Sequence, residues 1–270
     1  MKIFSSCLIL SLFLLGVGCE KEPESDLEIS NEFQNEEYVD DIEEIDRQLY
    51  STNHELMCNE GLISSEAVDK MLLLTELNND EDVYGIYSRI DEIANLFEDC
   101  GDPWGMFPTT YRHTYLETCN IVKTKEIEDQ EWARRIVVDF ASRYMENLQL
   151  ALLDKDPSYA WDQYYYLADH KDVSRTRAVV IAMVAHLTLD LPYSLVEIET
   201  TEDHKDDYFV LGELMIEITP DFIEDLRYYY DTDAEDLLNG FFFGDWVDGV
   251  YGQDTTITLS YQTIRTKSWN

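Results

Sequence analysis

Positive charge is scarce in this chain: 19 Lys and Arg stand against 57 Asp and Glu, a formal net charge of −38. Phosphate backbones and anionic membrane surfaces are repelled by such a field, which argues against nucleic-acid binding. Glycine is sparse too, at 11 residues, and none of them builds a Gly-rich phosphate loop or a nucleophile elbow. The HExxH pattern of helical zinc proteases is missing. A serine or cysteine hydrolase therefore has no motif to stand on. Cysteine numbers five, in spacings that match no zinc motif. Strand signals are few, and neither an internal repeat nor a low-complexity tract beyond the N-terminal region occurs.

What is present begins with an address. Residues 1–18 hold one positive charge, Lys2, then an apolar run at 8–15 and small residues before Cys19. That is the composition of a secretory signal peptide, too short for a mature membrane span. The string Leu15-Gly16-Val17-Gly18-Cys19 resembles the lipobox of bacterial lipoproteins, with Gly16 where leucine is commoner. The resemblance implies palmitate-type acylation of the Cys19 thiol and attachment to a membrane without spanning it. Residues 20–46 carry 13 Asp and Glu against one lysine, Lys21. Residues 19–35 are thus expected to form a self-repelling, extended tether. Acidic residues just after the acylated cysteine also resemble surface-export signals of lipoproteins; the resemblance implies a bacterial cell-envelope location, expected at the outer membrane, with surface export or periplasm-facing retention as the alternatives. With Cys7 lost in the signal and Cys19 acylated, Cys58, Cys100 and Cys119 allow three single disulfides, each leaving one thiol over.

Residues 36–270 suffice for one sizeable core, and their periodicity is helical almost throughout. Apolar positions Val39, Ile42, Ile45, Leu49 and Leu56 predict an amphipathic helix over 38–58. Ser64-Ser65-Glu66 opens a second helix to Leu77, and residues 78–80 stop it and cap a third, which Gly101-Asp102-Pro103 breaks. Further helices are expected from 107 or 108 to 125, from Asp129 to Leu153, from Asp156-Pro157 to Leu167, over 206–218 and from Thr219-Pro220 to Tyr230. Residues 255–259 alternate and read as a strand or a helix. The fold class is all-α, a single multi-helix domain.

Its centre is the stretch RTRAVVIAMVAHLTLDLP at 175–192. Residues 177–191 are almost wholly apolar, which predicts a helix buried on most of its circumference and ended by Pro192. Inside it stand His186 and Asp190, one turn apart on the same face. Charge is also unevenly spread: residues 105–190 hold 10 Lys and Arg against 13 Asp and Glu, a net of −3. Their arginines either pair structurally with outer-shell carboxylates or line an anion pocket.

Several motifs follow one another in a familiar order: Phe107-x-x-x-Tyr111-Arg112, Trp132, Phe140-Ala141-x-Arg143-Tyr144, Trp161, Ala185-His186-Leu187-x-x-Asp190-Leu191-Pro192 and Arg265-x-x-x-Trp269. From about residue 102 onward the chain resembles an uncharacterised bacterial helical family, catalogued as domain of unknown function 5995. Residues 36–101 then form N-terminal helices ahead of a family-like core. In that family the most specific segment usually reads N-A-H-I-N-x-D-L; Val184 and Thr188 replace its two asparagines here, while His186 and Asp190 are kept. The resemblance implies fold and site location, with no activity attached.

Two chemistries fit the pair. His186 and Asp190 at this spacing could hold one divalent metal such as zinc, and His-x-x-x-Asp-x-x-Pro is similar to a ligand segment of helical zinc-dependent phospholipases and nucleases. That group needs more histidines, and here only His54, His113, His170 and His204 remain as nitrogen donors. The other reading is a buried neutral histidine bonded to Asp190, in a polar cluster with Arg112, Arg143 or Arg265, that packs helices or binds a ligand without chemistry. The leading expectation is a non-catalytic envelope lipoprotein that binds a ligand or partner; the alternative is a metal-dependent hydrolase of phosphoesters or lipids.

Overall fold

In a computed structural model, residues 57–58, 61–77, 81–124, 126–217, 219–232 and 266–269 are described. The expected signal and tether, almost all of the helix expected at 38–58 and the segment at 255–259 lie outside them. Among the described residues the architecture is all-α. Two-residue strands β1 (Met57–Cys58) and β2 (Gly61–Leu62) pair antiparallel, Met57 opposite Leu62. Nine α-helices follow them in the described residues. They are α1 (Ser65–Thr75), α2 (Val83–Cys100), α3 (Met106–Ile121), α4 (Gln130–Leu152), α5 (Tyr159–Asp169), α6 (Arg175–Ala185), α7 (Leu191–Glu197), α8 (Lys205–Glu217) and α9 (Thr219–Tyr230).

The helix ends carry the expected chemistry, with local shifts. The Ser64 hydroxyl accepts from the Ala67 N–H at 3.2 Å and starts α1. Asp82, rather than residues 78–80, caps α2, accepting from the N–H groups of Tyr84 and Gly85. Gly101 ends α2 at φ 66°, the left-handed conformation that favours glycine. Asp129 caps α4 through the Trp132 N–H, and the buried carboxylate of Asp207 takes the N–H groups of Glu128 and Asp129 at 2.8 Å each. Pro157 lies just ahead of α5 instead of in its first turn. The backbone N–H of Ser158 donates to Asn147 Oδ1 there, and the helix begins two residues after Pro157, at Tyr159.

Helix α3 lies in the middle of the bundle and packs on α2, α6, α8 and α9, while α4 packs on α1 and α7 and α5 on α6. A 3-10 turn over Pro103–Gly105 leads into α3. Gly105 is required there, because a Cβ would come within 2.2 Å of the Tyr230 hydroxyl and 2.3 Å of Phe97 Cβ. Arg112 ties three helices: its guanidinium lies 3.0 Å from buried Glu98 of α2 and 2.7 Å from Asp225 of α9, and His113 Nε2 also bonds Asp225. Burial pushes the Glu98 carboxyl up, against the pull of Thr109 and Arg112. Cys100 is disulfide-bonded, and Cys119 is free among the described residues. Burial pushes the Cys119 pKa up to about 12, so it is chemically quiet.

The central helix corrects two expectations. It does not end at Pro192 but runs on to Glu197, because residues His186–Asp190 form a π turn in which the Leu191 N–H bonds the His186 carbonyl. Widening the turn puts Pro192 in the first turn of α7, where a missing N–H and a fixed φ are tolerated. In π spacing the Leu187 carbonyl would face the N–H that Pro192 lacks, and the Ser268 hydroxyl donates to that carbonyl at 2.7 Å. Nor is the helix buried nearly all round. Val184, Leu189, Tyr193 (64% exposed) and Val196 (78%) face outward, while Ala178, Ala182, His186 and Leu187 face in. By length and composition the span from Arg175 to Glu197 could cross a membrane, but half of it is buried, the pattern of a core helix.

Candidate functional site

The site is assembled from six helices, α3 to α8, and the π turn. His186 is 3% exposed and Asp190 6%. Their side chains meet directly: His186 Nδ1 lies 2.8 Å from Asp190 Oδ2. The same oxygen accepts the indole N–H of Trp161, from α5, at 2.9 Å. A carboxylate accepts only, so Nδ1 carries the proton and donates it to Asp190, leaving Nε2 as a lone-pair acceptor. Nε2 is buried and has no hydrogen-bond partner among the described residues.

Four aromatic rings pack against the imidazole. It stacks flat on Phe140 of α4, with centroids 3.6 Å apart and planes 10° apart. Phe107, Tyr111 and Trp161 meet it edge-on at 5.3, 4.8 and 5.9 Å. Burial drives the His186 pKa down, against the raising pull of the Asp190 hydrogen bond, so the ring is held neutral. A pinned tautomer, one oriented carboxylate and a free acceptor are the parts of an imidazole that binds a donor, takes a proton or ligates a metal.

Beside His186 lies a cavity of about 80 Å³. Helix α3 supplies one wall as two rows, each repeating every fourth residue: Phe107, Tyr111 and Tyr115, then Thr110, Thr114 and Thr118. The threonine hydroxyls donate to carbonyls of their own helix, Met106, Tyr111 and Thr114. Other helices add Ile136 and Phe140, Met183 and Leu187, Leu191, and Tyr208 with Leu211. Among the described residues the lining contains no lysine, arginine or carboxylate. Tyr115 is 2% exposed, and its hydroxyl, like His186 Nε2, is buried without a hydrogen-bond partner among the described residues.

The structure brings together His186 and Asp190 and keeps the arginines elsewhere. Arg112 belongs to the Glu98–Asp225 tie. Arg143 donates through Nε to Asp139 and Ser194, at 2.9 and 2.8 Å. Arg265 lies outside the described residues. Of the other histidines, His113 bonds Asp225, His170 bonds the Tyr166 carbonyl and His204 stacks on Trp132. Asp190 here orients His186 rather than converging with it on a third point, and among the described residues no three His, Cys, Asp or Glu come together. In this arrangement a metal would meet Nε2 as its one donor from the pair. Trp161, Phe140, Tyr115 and the threonine row carry the site without having been assigned to it from sequence. The fourfold spacing along α3 was the available signal.

No curated protein and no solved structure matches this chain. A family model does match, from Val83 rather than from the expected residue 102, so α2 with the Glu98 side of the arginine tie is part of the shared core. Residues 83–270 match the family of unknown function DUF5995, and the chain belongs to that family.

Proposed function

We propose that this is an exported bacterial lipoprotein, acylated on Cys19 and held at the outer membrane by an acidic tether, whose helical domain binds a small apolar ligand in the cavity beside His186. The signal-like residues 1–18 and the lipobox-like string before Cys19 support the address. One observation carries the binding reading: an almost wholly apolar cavity lies beside a neutral, buried histidine, and both Nε2 of that histidine and the Tyr115 hydroxyl are without hydrogen-bond partners among the described residues. Buried polar atoms are nearly always satisfied, and the exceptions call for a partner. At about 80 Å³ the space exceeds several-fold the roughly 10–15 Å³ that one water needs.

Methyl NMR of the purified protein during a toluene titration tests the binding. Met183 lines the cavity and should shift saturably, while Met71, buried between other helices, should stay still. Equal response of both methyls, or of neither, contradicts the reading. Palmitate labelling that persists after Cys19→Ala would contradict the anchor. A metal-dependent hydrolase is the other reading of the same dyad, and it would rest on Nε2 of His186 as ligand.

A further inference from the structure

The cavity is long and narrow. On α3 its wall runs from Phe107 to Thr118, which at a rise of about 1.5 Å per residue is about 16 Å. Opposite, the central helix lines it from Met183 to Leu191, a run of about 12 Å. Helix α4 passes antiparallel to α3, since Phe107 meets Tyr144 at 4.8 Å and Tyr111 meets Phe140 at 6.3 Å. Its other lining residues, Ile136 and Val137, therefore continue along α3 beyond Tyr111. A space of about 80 Å³ is the room of about five to eight water molecules. In single file, at about 2.8 Å each, these reach about 14–22 Å. The file is as long as the wall, so the cavity is about one water molecule wide.

We propose that the cavity takes the unbranched alkyl chain of a single-chain amphiphile and leaves the head group outside. An extended chain with bonds of about 1.5 Å and angles near 111° advances about 1.25 Å per carbon, so the two walls span about ten to thirteen carbons. A methyl branch or a second chain needs width that such a file lacks, and forcing it in strains the packed walls. The threonines of α3 close their hydroxyls on their own helix, and among the described residues no lysine, arginine or carboxylate lines the cavity. A charged head group inside would go unpaired, which is costly in an apolar space. The formal charge of −38 also disfavours an anionic head at the mouth. The inference rests on the ligand-binding reading given above and adds the shape of the ligand.

Three neutral probes titrated into the purified full-length protein test it: n-decanol, its methyl-branched isomer tetrahydrogeraniol, and toluene as the reference for the cavity. Binding is followed by NMR at the methyl groups of Met183, in the lining, and Met71, outside it. The expected result is that n-decanol binds about tenfold or more tighter than tetrahydrogeraniol, although the two are made of the same atoms. Intermolecular NOEs should join one end of n-decanol to Phe107 and the other to Thr118, as an extended chain lying along α3 requires. Isomers that bind within about threefold of each other, contacts of both chain ends with the same residue, or n-decanol that fails to bind overturns the alkyl-chain assignment. In each of those cases a response of Met183 but not Met71 to toluene keeps the cavity reading intact. Silence of Met183 towards all three probes overturns the cavity reading itself, and the chain assignment with it.

Discussion

Replacing Asp190 by alanine exposes the architecture of the site most sharply. Asp190 Oδ2 receives two N–H donors, His186 Nδ1 at 2.8 Å and Trp161 Nε1 at 2.9 Å, and all three groups are buried. Each buried donor left without an acceptor costs about 1–3 kcal/mol. Imidazole can relieve part of its share by moving its proton to Nε2, whereas indole has no such option. The expected loss for Asp190→Ala is therefore about 3 kcal/mol. Asp190→Asn keeps a carbonyl oxygen where the carboxylate stood and forfeits the charge assistance, so it should cost about 1 kcal/mol. The assay is urea unfolding of both variants and the parent, followed by tryptophan fluorescence and far-ultraviolet circular dichroism, with coincident transitions as the check on two-state behaviour. In a domain of this size the alanine variant should also melt roughly 6–12 °C lower. A loss under 1 kcal/mol for alanine, or equal losses for alanine and asparagine, would refute the claim that Asp190 holds both donors.

Three further outcomes follow from the same contacts. Burial sets the His186 pKa below the ordinary value of about 6.5, so in that window the unfolded chain binds a proton that the native ring does not; stability should fall as pH drops below about 6.5, by up to about 1.4 kcal/mol per unit, and His186→Phe should flatten that part of a urea-midpoint profile. Arg112→Ala leaves Glu98 buried without its cation and should cost about 3–5 kcal/mol by denaturant titration, whereas Arg134→Ala, an exposed pair with Glu131 on α4, should cost under about 1. Gly105→Ala forces a methyl against Phe97 and the Tyr230 hydroxyl and should lower stability by about 2 kcal/mol or more, read as a drop in melting temperature.

Much of the helical framework was legible because its signals are local. Ser64, Asp129 and Gly101 each mark a helix end through one side chain or one backbone angle, and the structure uses all three as read. Pro192 misled because its effect depends on the register of the turn before it: an α-helix stops there, but a π turn at His186–Asp190 carries it through. An apolar run likewise gives no record of which face meets a partner, so within 177–191 the outward side of Val184 and Leu189 is not told from the buried one. The His186–Asp190 contact follows from spacing on one helix. Their third partner, Trp161, is 29 residues from Asp190, and Phe140 comes from another helix altogether, so neither was assigned by local period. The arginines were placed near the histidine because they share a sequence block; carboxylates of α2, α4 and α9 claim Arg112 and Arg143 instead.

The central claim is that His186 is a neutral imidazole with its proton on Nδ1 and a free acceptor at Nε2. Nitrogen-15 NMR of ring-labelled histidine in the purified protein, recorded from pH 8 to pH 5, reads that state atom by atom. The account predicts one histidine whose Nδ1 is protonated, whose Nε2 shows the signal of an unprotonated nitrogen, and which does not titrate as the exposed histidines do. A proton on Nε2, or a His186 ring that becomes cationic near pH 6.5, would contradict it.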